Sequence, residues 1–126
     1  KRARIKEYSK TLIGSPYLWG GKSSFGYDCS GFVQSLYKSI GIDIKRDTTE
    51  QIDDSRMDTI EYDSAKVGDL IFFSIEGEGV DHVGLHYNEN HVIHCGGEVK
   101  VQSIHDDTHK PLSHSILTVK SMDRLI

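Results

Sequence analysis

Cysteine is scarce in this chain: Cys29 and Cys95 are the only two among 126 residues. Such a pair can close one disulfide at most, so a disulfide-stapled scaffold is excluded. Long apolar runs are missing as well, and none approaches the roughly 20 residues that a membrane-spanning helix needs. The opening Lys1-Arg2-Ala3-Arg4-Ile5 lacks the apolar centre of a signal peptide. There is no basic block either, and a net charge of -4 with both signs interspersed argues against a nucleic-acid surface. Repeats, low-complexity tracts and linkers are absent. What remains is the length of one domain with one core, spanning residues 1–126. Since the first residues already fall in a helical pattern, the domain is expected to have been cut from a longer secreted or anchored protein.

The stretch around which the rest is organised is Asp28-Cys29-Ser30-Gly31-Phe32. Apolar residues at Phe32, Val33, Leu36, Tyr37 and Ile40 follow at helical spacing, with Gly41 as the stop. Cys29 therefore sits in a first helical turn, where free N–H groups and the positive end of the dipole favour a thiolate. Asp28 is the matching N-cap. Cys29 also fits the description of a small buried hydrophobe, but its place at a helix start favours a nucleophile. A disulfide would consume that thiol, so both cysteines are read as free.

Before this stretch, Ile5, Tyr8, Leu12 and Ile13 mark one face of an N-terminal helix ended by Gly14 and Pro16. Tyr17-Leu18-Trp19-Gly20-Gly21 then reads either as a backbone that lets another group approach closely or as a surface turn with a core tryptophan. Beyond Gly41, Asp47 with Glu50 three positions on forms a capping-box-like start to a short helix through Ile52, and residues 53–66 read as loop. From Leu70-Ile71-Phe72-Phe73 onward the pattern turns strand-like, with further strands expected over 80–87, 91–95, 98–104 and 115–119. Helices first and an antiparallel sheet second give an α+β fold.

A nucleophile needs a base. In the segment 82–87, alternation sends Val83 and Leu85 to one face and His82, Gly84 and His86 to the other, with Gly84 leaving that face open beside His82. A hairpin through Asn88-Glu89-Asn90 would bring His94 near His82. Cys29, His82 and His94 thus make nucleophile, base and orienting group. With seven histidines a metal site also comes into question. On a strand, however, His82 and His86 would be rooted roughly 13 Å apart, so neither metal nor cofactor is expected. His105, His109 and His114 read as solvated.

Taken in order, Tyr17-Leu18-Trp19-Gly20-Gly21, Asp28-Cys29-Ser30-Gly31-Phe32, Arg46-Asp47-Thr48-Thr49-Glu50-Gln51, Gly68-Asp69-Leu70-Ile71-Phe72-Phe73, His82-Val83-Gly84-Leu85 and Ile93-His94 resemble the successive motifs of the NlpC-type cell-wall peptidases. The resemblance implies a papain-like α+β fold, with N-terminal helices packed on a C-terminal antiparallel sheet. It implies cysteine-dependent hydrolysis of peptidoglycan stem peptides, commonly at the bond between D-γ-glutamate and a diamino acid such as diaminopimelate or lysine. Carried over, it makes Cys29 the nucleophile, His82 the general base and acid, and His94 the residue that orients His82. The oxyanion contact would be the Cys29 N–H, helped by the Tyr17 hydroxyl.

Tyr17, Asp28 and Ser30 match positions that line the substrate pocket in similar enzymes, and Trp19 in the first motif joins them as a candidate contact. Asp28 is expected to pair with the free amine of a released stem peptide. The partner implied is peptidoglycan or a free stem peptide, met by a monomer that is secreted, periplasmic or wall-associated in a bacterium. Departures from the family pattern are Lys45 and Val67 in place of proline, His86 in place of tyrosine, and Cys95 after His94 in place of a small residue. Two other readings stand beside the peptidase: a related amidase that cuts between glycan and stem, and a binding module without activity. The intact Cys29, His82 and His94 argue against the latter.

Overall fold

The computed structural model describes residues 1–23, 26–105 and 111–126. Ser24, Phe25 and His109, the last of these read as solvated, lie outside the described residues. Helices come first: α1 (Arg2–Thr11), α2 (Cys29–Ser39) and the short α3 (Thr48–Gln51). A two-stranded ribbon, β1 (Lys22–Ser23) with β2 (Gly26–Tyr27), precedes α2. The main sheet holds β3 (Asp58–Ile60), β4 (Leu70–Phe73), β5 (His82–Asn88), β6 (His91–Gly96), β7 (Glu98–Ser103) and β8 (Ile116–Ser121), in the order β3-β8-β4-β5-β6-β7. Every pairing in it is antiparallel. None of the helices described is long and apolar enough to cross a membrane.

The sequence accounts for α2 at both ends. Asp28 is extended and its carboxylate accepts the Gly31 N–H at 2.7 Å, satisfying one of the free donors of the first turn. At the other end Gly41 takes φ +83°, and the N–H groups of Gly41 and Ile42 turn back to the carbonyls of Lys38 and Tyr37. This is the Schellman stop that a glycine without a Cβ adopts readily. Between the caps, Phe32, Val33, Leu36 and Tyr37 are fully buried against Val83, Leu85, Ile93 and Cys95 of the sheet. Burying side chains of this size stabilises the fold by about 1.5–3 kcal/mol each.

The other face of the sheet is covered too. Ile71, Phe73, Val92, Ile104 and Val119 form a second cluster, closed by Ile60 of β3 and by Tyr62 and Leu112 from short 3-10 turns. Hence β4 is apolar at every position, as strands covered on both faces are. Asp69, at the entrance to β4, is 1% exposed and accepts from Arg2 and from the N–H groups of Lys66 and Met122, tying α1 to the sheet's far end.

Four local expectations need correction. On α1, Ile5 and Ser9 are buried while Tyr8 is exposed, because only one edge of this helix meets the core; Ile13, past the helix end, is exposed as well. Asp47 stands at the N-cap of α3 without a side-chain cap hydrogen bond, so the expected capping box is not formed. Residues 53–66 are not all loop: β3 pairs with β8, and Tyr62–Ser64 make a 3-10 turn. Trp19 is no core residue, being 86% exposed.

The segment bearing Trp19 is held by its backbone. The Tyr17 N–H bonds the Gly97 carbonyl, Leu18 bonds Tyr27, and Tyr27 bonds Pro16. This lattice of main-chain bonds lays residues 16–21 between the end of β6 and the start of α2.

Candidate active site

Cys29 is the first residue of α2, which packs on β5, and is itself partly buried against that core. Its sulfur lies 3.8 Å from the Thr48 hydroxyl, and Val83, the residue directly after His82, is close enough for its N–H to act on the thiol's titration. Burial pushes the Cys29 thiol up, and nearby Asp28 adds to this, while Thr48 and the N–H groups of Val83 and Ser30 pull it back. Desolvation thus works against the thiolate that the helix terminus favours, and the sulfur is expected to rest as a thiol.

His82 opens β5 and His94 lies on β6. The β5–β6 register pairs Leu85 with Ile93 and His86 with Val92, which puts both imidazoles on the sheet face expected for them. His82 Nε2 meets His94 Nδ1 at 2.6 Å, with the rings nearly perpendicular. Burial, then the neighbouring His94, pushes His82 down to about 3; burial also lowers His94. Both rings are neutral at rest. The face beside His82 is not open at Gly84, because a Cβ there would fall 2.5 Å from Val92 Cγ2 and 3.0 Å from His94 Cβ. Gly96 has the same function on the other side, where a Cβ would sit 2.9 Å from His94 Cε1. Two glycines thus make the slot that the His94 ring fills.

An open cleft of about 510 Å³ lies over Cys29, bordered by Tyr17, Trp19, Asp28, Ser30, Arg46 and Asp47 among others. All four substrate-contact candidates from the sequence are on it. A larger depression of about 740 Å³ meets the cleft at Thr49 and contains none of them.

Asp28 caps α2 as expected and is also paired with a cation. Its Oδ1 accepts from Gly31 and from Arg46 Nη1 at 3.0 Å, and its Oδ2 from Gly20 and from Arg46 Nη2 at 2.9 Å. Despite partial burial, Arg46 and the backbone donors hold this carboxyl below the usual carboxylate range. Both oxygens are occupied, and the cation that faces the cleft is Arg46, which also donates to Ser30 Oγ at 2.9 Å. Sequence reasoning missed Arg46 although it begins one of the motifs. It also missed Gln102, whose Oε1 lies 2.8 Å from His94 Nε2.

The remaining histidines sit apart from the site. His86 is buried with its ring tilted against Tyr62, and its Nδ1 has no hydrogen-bond partner in the described structure; His105 and His114 are exposed. Among the described residues no three His, Cys, Asp or Glu side chains converge as metal ligands would. Cys95 is a buried free thiol that donates to the Tyr27 carbonyl, and burial raises it to about 11.

A helix-start cysteine docked on an antiparallel sheet is the α+β arrangement of the papain-like fold. Within that class residues 14–118 match the NlpC/P60 family, and the chain belongs to it, a family of cysteine peptidases. It is 44% identical over 85 residues to a gamma-D-glutamyl-L-lysine dipeptidyl-peptidase of Bacillus subtilis, covering 66% of this chain and 28% of that protein. Over 101 residues it is 39% identical to the murein DD-endopeptidase MepH of Escherichia coli, covering 75% of this chain and 37% of MepH. The chain thus spans about a third or less of the curated relatives it matches most strongly. Among solved structures, the NlpC/p60 domain of the peptidoglycan hydrolase SagA superposes with a TM-score of 0.79 at 34% identity, over 97% of this chain and 99% of that one.

Proposed function

We infer that this domain hydrolyses peptide bonds in the peptidoglycan stem, at or outside the bacterial cell wall, with Cys29 as nucleophile, His82 as general base and acid, and His94 orienting His82. The observation that carries the reading is Cys29 at the start of α2 on a cleft whose cation is Arg46, with His82 Nε2 held 2.6 Å from His94 Nδ1. In the first step the Cys29 thiol gives its proton to His82 Nδ1 while the sulfur adds to the scissile carbonyl. The Cys29 N–H, in the first turn of α2, donates to the developing oxyanion. His82 then protonates the leaving amine, and water releases the acyl group from sulfur by the reverse sequence.

The bond is the one between D-γ-glutamate and the diamino acid. A γ-linked glutamate keeps its α-carboxylate free beside the scissile carbonyl, and a guanidinium fork is the natural complement to a carboxylate. Arg46 gives both Nη1 hydrogens to Asp28 and Ser30 and one Nη2 hydrogen to Asp28; its Nε–H and second Nη2–H form the side-on fork for that contact, and exposed Trp19 gives the stem a face to lie against. The similarity to a gamma-D-glutamyl-L-lysine dipeptidyl-peptidase supports this choice. Purified protein is incubated with L-Ala-γ-D-Glu-L-Lys peptides, with D-Ala cross-linked dimers and with intact sacculi, and the new ends are read by mass spectrometry. Release of the L-Ala-D-Glu dipeptide, absent with Cys29→Ala, is expected. Cleavage of the cross-linked D-Ala bond alone would move the assignment to a DD-endopeptidase, cleavage between glycan and stem to an amidase, and no cleavage to a binding module.

A further inference from the structure

His94 is held from both sides: Nδ1 faces His82 Nε2 at 2.6 Å, and Nε2 faces Gln102 Oε1 at 2.8 Å. The β6–β7 register pairs His94 with Lys100 and Val92 with Gln102. Gln102 therefore shares the sheet face of His94 at the diagonal position, which a long side chain spans across an antiparallel pair. An amide oxygen only accepts hydrogen bonds, whereas a neutral imidazole donates from one nitrogen and accepts at the other. Gln102 Oε1 therefore takes the hydrogen of His94 Nε2, and His94 Nδ1 is left with its lone pair. That lone pair accepts from His82 Nε2–H, so His82 carries its free lone pair on Nδ1.

We propose that Gln102 is a positioning residue that fixes the tautomers of both imidazoles, so that His82 offers an unprotonated Nδ1 to the Cys29 thiol. The proposal rests on the cysteine-hydrolase reading above. Lys100, directly opposite His94, makes a neutral acceptor at position 102 effective: its charge opposes protonation of both rings. The relay stays neutral until the Cys29 proton arrives. When His82 takes that proton, its Nε2–H keeps its acceptor, because Gln102 has left His94 Nδ1 free to receive it.

Tautomers can be read without substrate, from the imidazole nitrogen shifts of the protein labelled with nitrogen-15 at neutral pH. Both His82 and His94 are expected as Nε2–H tautomers in the parent protein. Gln102→Glu should retain this pattern, while Gln102→Met should leave His94 as a mixture. In turnover, Gln102→Met should lower kcat at least about tenfold with KM unchanged, since a mis-set tautomer disables a triad base. Gln102→Glu should restore most of the loss. A parent His82 protonated on Nδ1, or identical tautomers in Gln102→Met and parent, would overturn the proposal. Expected tautomers in a protein that cuts no stem peptide would instead count against the hydrolase reading.

Discussion

Arg46 grips Asp28 with both terminal nitrogens, Nη1 to Oδ1 at 3.0 Å and Nη2 to Oδ2 at 2.9 Å, across 18 positions of sequence. Asp28 is only 14% exposed in this pair and also caps the helix of Cys29. One carboxylate therefore fixes both the start of α2 and the cation of the cleft. Asparagine can replace the cap but not the fork. Asp28→Asn should thus lower stability by about 2 kcal/mol, the scale of a hydrogen bond to a charged group, which thermal melts would measure. It should leave unchanged the ratio of rates on free and N-acetylated stem peptides, because the Asp28 charge is already matched by Arg46. A ratio that collapses in Asp28→Asn would restore Asp28 as the reader of a substrate amine.

Gly84 tests how tightly the histidine pair is built. Its backbone is not in a region reserved for glycine, so an alanine there acts through space alone. The added methyl has to displace Val92 or His94, and overpacking of this kind costs about 1–3 kcal/mol. Gly84→Ala is expected to melt earlier and to lose kcat at least about tenfold, with KM little changed. Full activity would mean that the His82–His94 contact has slack.

The protonation of Cys29 gives a third expectation. With the thiol pushed up by burial and His82 pushed down, the pair is expected to be thiol and neutral imidazole at neutral pH, not a preformed thiolate–imidazolium. Alkylation of Cys29 by iodoacetamide should therefore climb about tenfold per pH unit from pH 6 upward, as it does for any thiol below its pKa. A rate already flat between pH 5 and 8 would reveal the ion pair instead.

Acid sensitivity follows from the same histidines. His82 titrates at about 3 in the folded protein against an ordinary 6.5, and burial lowers His86 and His94 as well. Below pH 6.5 the unfolded chain binds protons that the folded one refuses, so stability falls as pH drops through this window toward 3. Each such group adds a slope of up to about 1.4 kcal/mol per pH unit. Melts of the parent between pH 7 and 4 should show this decline, and His82→Gln should flatten it.

What could be read from the sequence was what depends on neighbours along the chain. Asp28 as cap, Gly41 as stop and the shared face of His82 and His94 follow from helix ends and strand alternation. Arg46 and Gln102 were not legible as site residues, because one depends on how the segment after α2 folds back and the other on the β6–β7 register. The opposing pull on Cys29 was hidden for a related reason: a helix terminus shows in sequence, whereas the desolvation that raises the thiol comes from packing. β3 escaped notice because an exposed edge strand has little apolar alternation to display.

The rim of the cleft is held by main-chain bonds, from Tyr17 to Gly97, Leu18 to Tyr27 and Tyr27 to Pro16. Its outward side chains, with Trp19 the most exposed, therefore contribute little to keeping it in place. Such a rim keeps its path largely independent of the side chains it carries, so substitutions along it reshape the mouth of the cleft without loosening the helix and relay beneath.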